Sequence, residues 1–348
     1  MYHLISDMVD FCEKKACHSI FKGHKLLFSD DEGLKNLRKK IFIKTNNKKN
    51  NFGIVVSQLP NIFPKLYTWL ESETDKILTN DNRQPLFVWY IDGHECFTNK
   101  KLLPNFSSFA ISEFEEETSK LWISKPSHPY VGSGKLIKIG TKESLKSRGV
   151  EILGKNTIDT WVLQPLRENL LFWDGKKKFD IRFHVLIYSN KGKINCLINK
   201  YGYGRKCVNI YDPINDVSSA ITNISFQEKI PGYDVKVSAP IIYDDIGMVK
   251  EIMEDLFKNI KGKLSLDKKK DYQLLPLGLD VMISDKGKPI LIEINEDPYL
   301  SVDEQNNIGI VMSATILGLF GYLIPSLSHG KDIKITDIPD WEQIGLDL

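Results

Sequence analysis

The stretch LLPLGLDVMISDKGKPILIEINEDP, residues 274–298, contains two apolar runs joined by a short polar turn at 285–288. That pattern predicts a β-hairpin. Asp280 lies in the first run and Glu293 and Asn295 lie in the second, where polar groups need partners. Two carboxylates and an amide on adjacent strands suit Mg²⁺, which uses few protein ligands and completes its shell with water and phosphate oxygens. Two other interpretations stay open, namely ordinary polar-face residues and a carboxylate paired with an arginine.

A second polar pattern occupies residues 178–189, where apolar side chains alternate with polar ones. The alternation predicts a half-buried β-strand whose polar face carries Lys178, Asp180 and Arg182 into a cleft. Arg205 lies downstream in a further predicted strand. Planar guanidinium groups bind carboxylate and phosphoryl oxygens in a bidentate manner and stabilise developing negative charge. A surface ladder of ion pairs is the alternative interpretation.

Lys125 ends a predicted strand at 121–126 and precedes a loop that contains Gly132 and Gly134. A lysine at a strand end can place its ammonium on a phosphate, and a glycine-containing loop can bring backbone N–H groups close to phosphate oxygens. The loop has neither the Gly-Lys-Ser/Thr ending of a Walker A loop nor the full dinucleotide fingerprint. It is therefore read either as part of a phosphate site or as a plain turn.

Short apolar runs between polar loops predict further strands along the chain. They lie at 52–56, 86–91, 135–139, 159–166 and 193–208. The acidic run 113–117 marks a domain edge. We predict an N-terminal domain at 1–118, a central subdomain at 119–178, and a C-terminal subdomain with the metal site at 179–348.

The composition is that of a soluble globular protein, with 42% hydrophobic residues, 26% charged residues and a net charge of +2. A nucleic-acid binder would show a strong basic excess, so no nucleic-acid partner is expected. Positive charge is nevertheless clustered at 35–40, 48–49, 176–178 and 268–270. We interpret the first, second and fourth clusters as solvated faces, and the alternative is docking of an acidic partner.

Features of the sequence bear on the compartment as well. Five cysteines, an odd number without a CxxC pair, predict reduced thiols and no zinc site. The first 15 residues lack the apolar core of a signal peptide, so a cytoplasmic protein is expected. Residues 308–324 carry no charge but are at the low end of membrane-spanning length, so we expect a core helix at 302–323 and no membrane partner.

Taken in order, these motifs resemble those of the tubulin tyrosine ligase-like family of the ATP-grasp superfamily. The most specific part of the resemblance is the combination of Lys-Phe-Asp-Ile-Arg at 178–182 with Glu-Ile-Asn-x-x-Pro at 293–298. The resemblance covers about residues 120–322, and the first 118 residues contribute almost nothing to it. Pro165 stands where the family usually has a lysine, and Ala220 where it usually has a histidine. The remaining motifs lie at 122–126, 162–166, 221–223 and 278–280.

The resemblance implies an α+β protein with an ATP-grasp fold and an N-terminal α/β domain, with ATP and Mg²⁺ as cofactors. Nucleotide contacts are expected from Lys125, Ile123, Gly132, Gly134, Gln164, Leu166, Lys178, Asp180 and Met282. Metal contacts are expected from Asp280, Glu293 and Asn295. Catalytic roles fall to Arg182, Arg205 and Lys178, and substrate contacts to Arg205, Thr222 and Asn223.

The implied activity is that of an ATP-dependent carboxylate–amine ligase. It would add an amino acid to a carboxylate of a protein or peptide through an acyl-phosphate intermediate, as a monomer. The implied partners are a free amino acid and an acidic protein tail such as that of tubulin, in polyglutamylation, glycylation or tyrosination. Two alternatives remain, namely an ATP-grasp ligase acting on a non-tubulin protein or a small molecule, and an inactive nucleotide-binding scaffold.

Overall fold

The computed structural model describes the chain in segments. With side chains it covers 91–112, 119–127, 136–146, 161–190, 192–234, 246–266, 272–296 and 340–344, and single positions at 298, 308, 311, 315, 323, 327 and 338. For 3–6, 25–28, 54–57, 86–89 and 241–243 it describes the backbone.

The described strands and helices have the following bounds. The strands are β1 (His3–Ser6), β2 (Lys25–Phe28), β3 (Ile54–Ser57), β4 (Leu86–Trp89), β5 (Trp122–Pro126), β6 (Lys138–Gly140), β7 (Trp161–Pro165), β8 (Phe179–Asn190), β9 (Lys193–Lys206), β10 (Ile241–Tyr243), β11 (Tyr272–Ile283), β12 (Pro289–Glu296) and β13 (Trp341–Ile344). The α-helices are α1 (Glu95–Thr98), α2 (Ile224–Gln227) and α3 (Ile246–Ile260), and 3₁₀ turns lie at Leu103–Asn105 and Val217–Ala220.

Ten of the described strands form one sheet in which a parallel part and an antiparallel part meet at β11. Its path runs β10–β9–β8–β11–β4–β3–β1–β2, with β12 added to β11 and β13 added to β9. The pairs among β8, β9, β11 and β12 are antiparallel, whereas β1 to β4 pair in parallel. β4 joins the start of β11 at Tyr272 and Gln273. This arrangement confirms the predicted α+β class.

A second, smaller sheet is antiparallel and has the order β6–β5–β7. Its register places Lys125 opposite Val162 and Ile123 opposite Gln164. Three strands predicted from short apolar runs are therefore confirmed, with shifted ends. The sheet presents the predicted nucleotide-contacting residues of β5 and β7 next to each other.

The predicted hairpin is also confirmed. β11 and β12 pair antiparallel from Leu277 opposite Glu296 to Ile283 opposite Pro289. Gly287 in the turn has a φ of 75°, which a residue without Cβ adopts at little cost. Asp280 stands opposite Glu293, so strand pairing alone brings two of the predicted metal ligands together.

The structure corrects the prediction that β8 is half-buried, because both of its faces are covered. Its apolar face, with Phe183 and Ile187, packs with α3 in the main hydrophobic core. On its polar face Asp180 and His184 are each 1% exposed, and His184 Nδ1 lies 2.8 Å from the Thr315 hydroxyl. The polar residues of β8 therefore lie in the interior, which excludes the surface ladder of ion pairs.

Helix α3 supports the large sheet through a continuous apolar stripe. Its buried residues recur three or four positions apart: Met248, Val249, Ile252, Met253, Leu256, Phe257 and Ile260. Full burial of one such side chain contributes about 1.5–3 kcal/mol to the free energy of unfolding. The strands that carry the polar residues are thus held on a rigid base.

The uncharged segment 308–324 is helical and buried where the structure describes it. Ile308, Val311 and Thr315 have helical backbone, with 9%, 1% and 2% of their surface exposed. The Thr315 hydroxyl donates to the Val311 carbonyl at 3.0 Å. Within the described part of the chain, no helix has both the length and the apolar character needed to cross a bilayer. The core-helix prediction is confirmed at these positions.

The predicted domain boundaries at 118 and 178 stay predictions. Residues 113–118 lie outside the described residues, as do the basic clusters at 35–40, 48–49 and 268–270. The segment 91–112 packs into the same core as β8 and α3 through Ile91, Phe97 and Leu103. The same segment also reaches the polar face of the large sheet, because Lys100 Nζ lies 3.0 Å from Glu293 Oε2.

Candidate active site

A cleft of about 200 Å³ separates the small sheet from the polar face of the large sheet. Strands β5 and β7 form one wall, and β8, β9, β11 and β12 form the other. All of the predicted site residues that the structure describes line this cleft: Ile123, Lys125, Gln164, Leu166, Lys178, Asp180, Arg182, Arg205, Thr222, Asn223, Asp280, Met282, Glu293 and Asn295. Gly132 and Gly134 lie outside the described residues.

The three predicted metal ligands converge at one end of the hairpin. Asn295 Nδ2 lies 3.0 Å from Glu293 Oε1 and 3.3 Å from Asp280 Oδ2. Two carboxylates and an amide form a hard oxygen donor set, which fits Mg²⁺. Rotation of the Asn295 amide would bring its oxygen rather than its nitrogen to a cation. The structure therefore brings the three residues together, and their role as metal ligands stays a prediction.

The alternative interpretation, a carboxylate paired with an arginine, also describes Asp280. Arg182 binds it in a bidentate manner, with Nε donating to Oδ1 and Nη2 donating to Oδ2 at 2.8 Å. Arg205 Nη2 lies 2.8 Å from the same Oδ2. Burial raises the pKa of Asp280, and the charges of Arg182 and Arg205 act in the opposite direction. A cation that joins Asp280 would share its oxygens with these guanidinium groups.

Asp180, which the resemblance assigns to the nucleotide, is bound by Arg205 and Thr222 in the structure. Arg205 donates to it through Nε at 2.6 Å and through Nη2 at 2.7 Å, and the Thr222 hydroxyl donates to its Oδ2. Asn223 caps α2, because its Oδ1 accepts from the Phe226 backbone N–H at 3.3 Å, and the same oxygen accepts from the Ser225 hydroxyl at 2.7 Å. Asp180 therefore holds Arg205 of β9 and Thr222 of the loop before α2 close to each other.

Lys125 and Lys178 are two buried ammonium groups on the cleft wall, each 7% exposed. Burial lowers the pKa of Lys125 to about 8, against the opposing attraction of Glu293. Burial also lowers the pKa of Lys178, whose Nζ donates to the Ala220 carbonyl at 2.7 Å. Buried ammonium groups are costly unless they are paired, so a bound anion such as a phosphate would stabilise both.

An apolar part of the cleft ends at an unsatisfied amide oxygen. Ile123, Leu166 and Met282 line this part. Gln164 Nε2 donates to the Ile111 carbonyl at 2.6 Å, while its Oε1 is buried and has no hydrogen-bond partner among the described residues. A buried acceptor of this kind is completed by a ligand donor, such as the amino group of a nucleobase. The residues predicted at the adenine edge thus fit a flat, amino-bearing ring.

Sequence reasoning missed Lys100, which comes from the segment before the small sheet. Its Nζ lies 3.0 Å from Glu293 Oε2, and the residue is 6% exposed in the cleft wall. Burial opposes ionisation of Glu293, but Lys100 and Lys125 outweigh it and hold the pKa of Glu293 well below its usual range. Lys100 sits in a short polar run without strand or helix periodicity, so no local signal marks it.

A family model described as "Tubulin-tyrosine ligase family" matches residues 45–317 of the chain. The chain belongs to this family. The resemblance to the tubulin tyrosine ligase-like family is confirmed, and with it the ATP-grasp type of fold. The expectation that the first 118 residues contribute almost nothing is corrected, because the match begins at residue 45.

Two relatives within the tubulin-tyrosine ligase family carry descriptive names. The probable tubulin polyglutamylase ttll-9 of Caenorhabditis elegans is 25% identical over 228 residues, which are 59% of this chain and 53% of the relative. The probable alpha-tubulin polyglutamylase Ttll1 of Tetrahymena thermophila is 23% identical over 257 residues, which are 67% of this chain and 60% of the relative. The matched region thus covers little more than half the length of these relatives.

The two departures from the pattern of the tubulin-tyrosine ligase family lie at the cleft and involve none of the three predicted metal ligands. Pro165 ends β7 opposite Trp122, and the backbone N–H of Leu166 donates to the Leu121 carbonyl at 2.9 Å. Ala220 contributes its carbonyl to Lys178. The first change affects the wall beside the apolar part of the cleft, and the second lies next to Lys178.

Proposed function

We propose that the chain is an ATP-dependent ligase that joins the amine of an amino acid to a carboxylate of a protein or peptide acceptor. The observation that carries this proposal is the convergence of three sets of groups in one cleft. Buried ammonium groups suit phosphates, the oxygen ligands on the hairpin suit Mg²⁺, and the paired arginines suit a carboxylate. Membership of the tubulin-tyrosine ligase family supports the same reaction class.

Each set of residues has a distinct task in the proposed reaction. Lys125 and Lys178 bind phosphate oxygens of ATP, and Gln164 accepts from the adenine amino group. Bound Mg²⁺ would neutralise charge on the phosphoryl group as it is transferred. Asp280, Glu293 and Asn295 are the residues that would hold the ion.

The proposed reaction has two steps, phosphorylation of the acceptor carboxylate and attack by the amine. An oxygen of the acceptor carboxylate forms a bond to the terminal phosphorus of ATP, and the bond to the ADP oxygen breaks. The amine nitrogen then attacks the acyl carbon of the acyl-phosphate, phosphate leaves, and the amine proton is lost to solvent. Each guanidinium carries five N–H donors, so Arg182 and Arg205 can contact Asp180 and Asp280 and still bind the developing negative charge.

An acidic protein tail is the proposed acceptor, and the cytoplasm is the proposed compartment. The names of both relatives refer to polyglutamylation of tubulin, which supports an acceptor rich in carboxylates. Polyglutamylation, glycylation and tyrosination all fit the cleft, because each joins an amine to a carboxylate.

The test combines two measurements on purified full-length protein. With ATP, Mg²⁺ and single amino acids, ADP release is followed with and without tubulin, and the acceptor mass is determined afterwards. We expect ADP release that requires one amino acid and the acceptor, with one added residue per ADP. Nucleotide binding without ADP release under every combination would instead identify an inactive scaffold, and turnover without tubulin would identify another acceptor.

A further inference from the structure

His94 is a buried histidine at the back of β12, outside the residues that line the cleft. It immediately precedes α1, which packs against β12, and it is 1% exposed. Its Nε2 contacts Glu296 Oε2, and its Nδ1 lies 2.9 Å from the Ile91 carbonyl. Glu296 follows the proposed metal ligand Asn295 directly in the chain.

The backbone around His94 is fixed independently of this contact. Gly93 has a φ of 84°, and a Cβ at that position would lie 2.1 Å from the Lys263 carbonyl oxygen. The Ser265 N–H donates to the Asp92 carbonyl at 3.0 Å. The chain therefore enters α1 from an anchored turn, and His94 reaches β12 from a rigid position.

The partners of the ring determine its protonation. The Ile91 carbonyl only accepts hydrogen bonds, so Nδ1 must donate to it. Nε2 lies against the Glu296 carboxylate, an arrangement that an imidazolium ring satisfies by donating from both nitrogens. Burial disfavours this form, but the hydrogen bond and charge of Glu296 outweigh it, with Glu95 3.6 Å away adding to the effect, and raise the pKa of His94. The contact is thus a charge-assisted pair.

The segment that carries His94 contacts β12 at two places. His94 holds Glu296, and Lys100 holds Glu293 from within the cleft at 3.0 Å. Asn295 lies between these two attachment points on β12. Removing a residue that hydrogen-bonds a metal-ligating residue typically lowers metal affinity roughly 10- to 100-fold.

We propose that His94 is a positioning residue for the cation site, acting through Glu296 to fix the end of β12 that presents Glu293 and Asn295. This inference rests on the proposed function, because it assumes that those residues hold Mg²⁺ with the nucleotide. His94 itself contacts neither the ion nor the substrate. Its effect must therefore appear in cation affinity rather than in contacts to the nucleotide.

The test is calorimetric titration of ADP into full-length protein, at a series of Mg²⁺ concentrations and in EDTA. For His94→Ala we expect the Mg²⁺ concentration that gives half of the increase in ADP affinity to rise about tenfold. The affinity for ADP in EDTA should be unchanged. Glu296→Gln keeps the size of the side chain and should shift the Mg²⁺ requirement in the same direction, so it serves if His94→Ala does not fold. The Mg²⁺ requirement of the double variant should rise no further than that of the more affected single variant.

Ser107→Ala is the matched control on the same segment. Ser107 is 3% exposed, but its hydroxyl donates to Asp255 on α3 at 3.1 Å rather than to β12. It should lower stability and leave the Mg²⁺ requirement unchanged. An unchanged Mg²⁺ requirement in a folded His94→Ala or Glu296→Gln protein would overturn the positioning role alone. Absence of Mg²⁺-dependent ADP binding in the wild-type protein would overturn the proposed function together with it.

Discussion

Glu293 contacts both the ammonium of Lys100 and the amide of Asn295, and its low pKa keeps it ionised. Glu293→Gln preserves the shape of the side chain and removes the charge that a cation requires. We expect Mg²⁺-dependent ADP formation to fall below about 1% of the wild-type rate, the scale of losing an interaction made during group transfer. ADP formation and thermal unfolding are measured together. Glu254→Gln, on the exposed side of α3, is the control that should keep full activity.

Lys125 has a lowered pKa of about 8, compared with an ordinary value of 10.5. Its positive charge is present below pH 8 and is lost as the pH rises through 8. We expect nucleotide affinity to fall between pH 7 and pH 9, measured by equilibrium binding of ADP. Lys125→Arg, whose guanidinium stays charged, should flatten this part of the profile. A wild-type profile that does not change between pH 7 and pH 9 would contradict the phosphate-binding role.

The lowered pKa of Lys125 also makes stability depend on pH, but in the opposite direction to nucleotide affinity. Between pH 8 and 10.5 the unfolded chain keeps its proton on Lys125 while the folded chain has lost it. The contribution of Lys125 to the free energy of unfolding therefore rises with pH in that window. A fall in nucleotide affinity over this range cannot then be attributed to unfolding caused by Lys125.

The residue types of the site were predictable from the sequence where they lie on regular strands. Asp280, Glu293 and Asn295 were visible because polar groups interrupt apolar runs at defined positions. Lys100 was not visible, because its contact with Glu293 depends on long-range packing of a segment far away in the chain. The same is true of His94, which meets Glu296 only in the folded protein.

Among the strands, β11 comes close to β8 where Gly278 lies against the side chain of Arg182. A Cβ on Gly278 would lie 3.0 Å from Arg182 Nη1, 3.1 Å from Arg182 Cδ and 3.1 Å from Pro298 Cβ. Gly278→Ala should push Arg182 away from Asp280 and reduce ADP formation about tenfold or more, with a stability loss of about 1–3 kcal/mol from overpacking. Both are measured on the purified variant.

Gly247→Ala is the control for that substitution. Gly247 lies in α3, and a Cβ there would meet no atom within 4 Å. Alanine is favoured over glycine in a helix by roughly 1 kcal/mol, so this variant should be at least as stable as the wild type. Full activity of Gly278→Ala would show that the position of Arg182 is not critical.

Strand alternation predicted which side chains of β8 share a face, and the structure brings those residues into one cleft. It did not predict that both faces of β8 are buried, because alternation alone does not show what covers the polar face. The cover comes from the small sheet and from helical positions such as Thr315. Such cover follows from tertiary packing rather than from local sequence.

At the scale of the whole molecule, acceptor recognition is expected to depend on charge. The lysines at 268–270 lie outside the described residues, but their charge would attract an acidic tail. Charge reversal of Lys268, Lys269 and Lys270 to glutamate should raise KM for the acceptor several-fold and leave KM for ATP unchanged. The difference should shrink as salt is raised, because screening acts over about 8 Å at physiological ionic strength.

The control variant reverses three lysines at exposed turn positions, so that the net charge changes by the same amount. Lys193, Lys286 and Lys288 are suitable, since they flank hairpin turns away from the cleft lining. Equal losses in the two triple variants would mean that net charge matters rather than the 268–270 cluster. An equal loss of affinity for ATP would assign that cluster to the nucleotide.

The defining step of the proposed reaction is the activation of a carboxylate by ATP in the cleft. It is tested most directly with an acidic peptide acceptor whose side-chain carboxylates carry ¹⁸O, incubated with the protein, MgATP and an amino acid that supports ADP release. Because a carboxylate oxygen stays on phosphorus when the amine displaces phosphate, we predict one ¹⁸O atom in each inorganic phosphate released with the new amide. Amide formation with unlabelled phosphate, or phosphate release without an amide, would contradict the account.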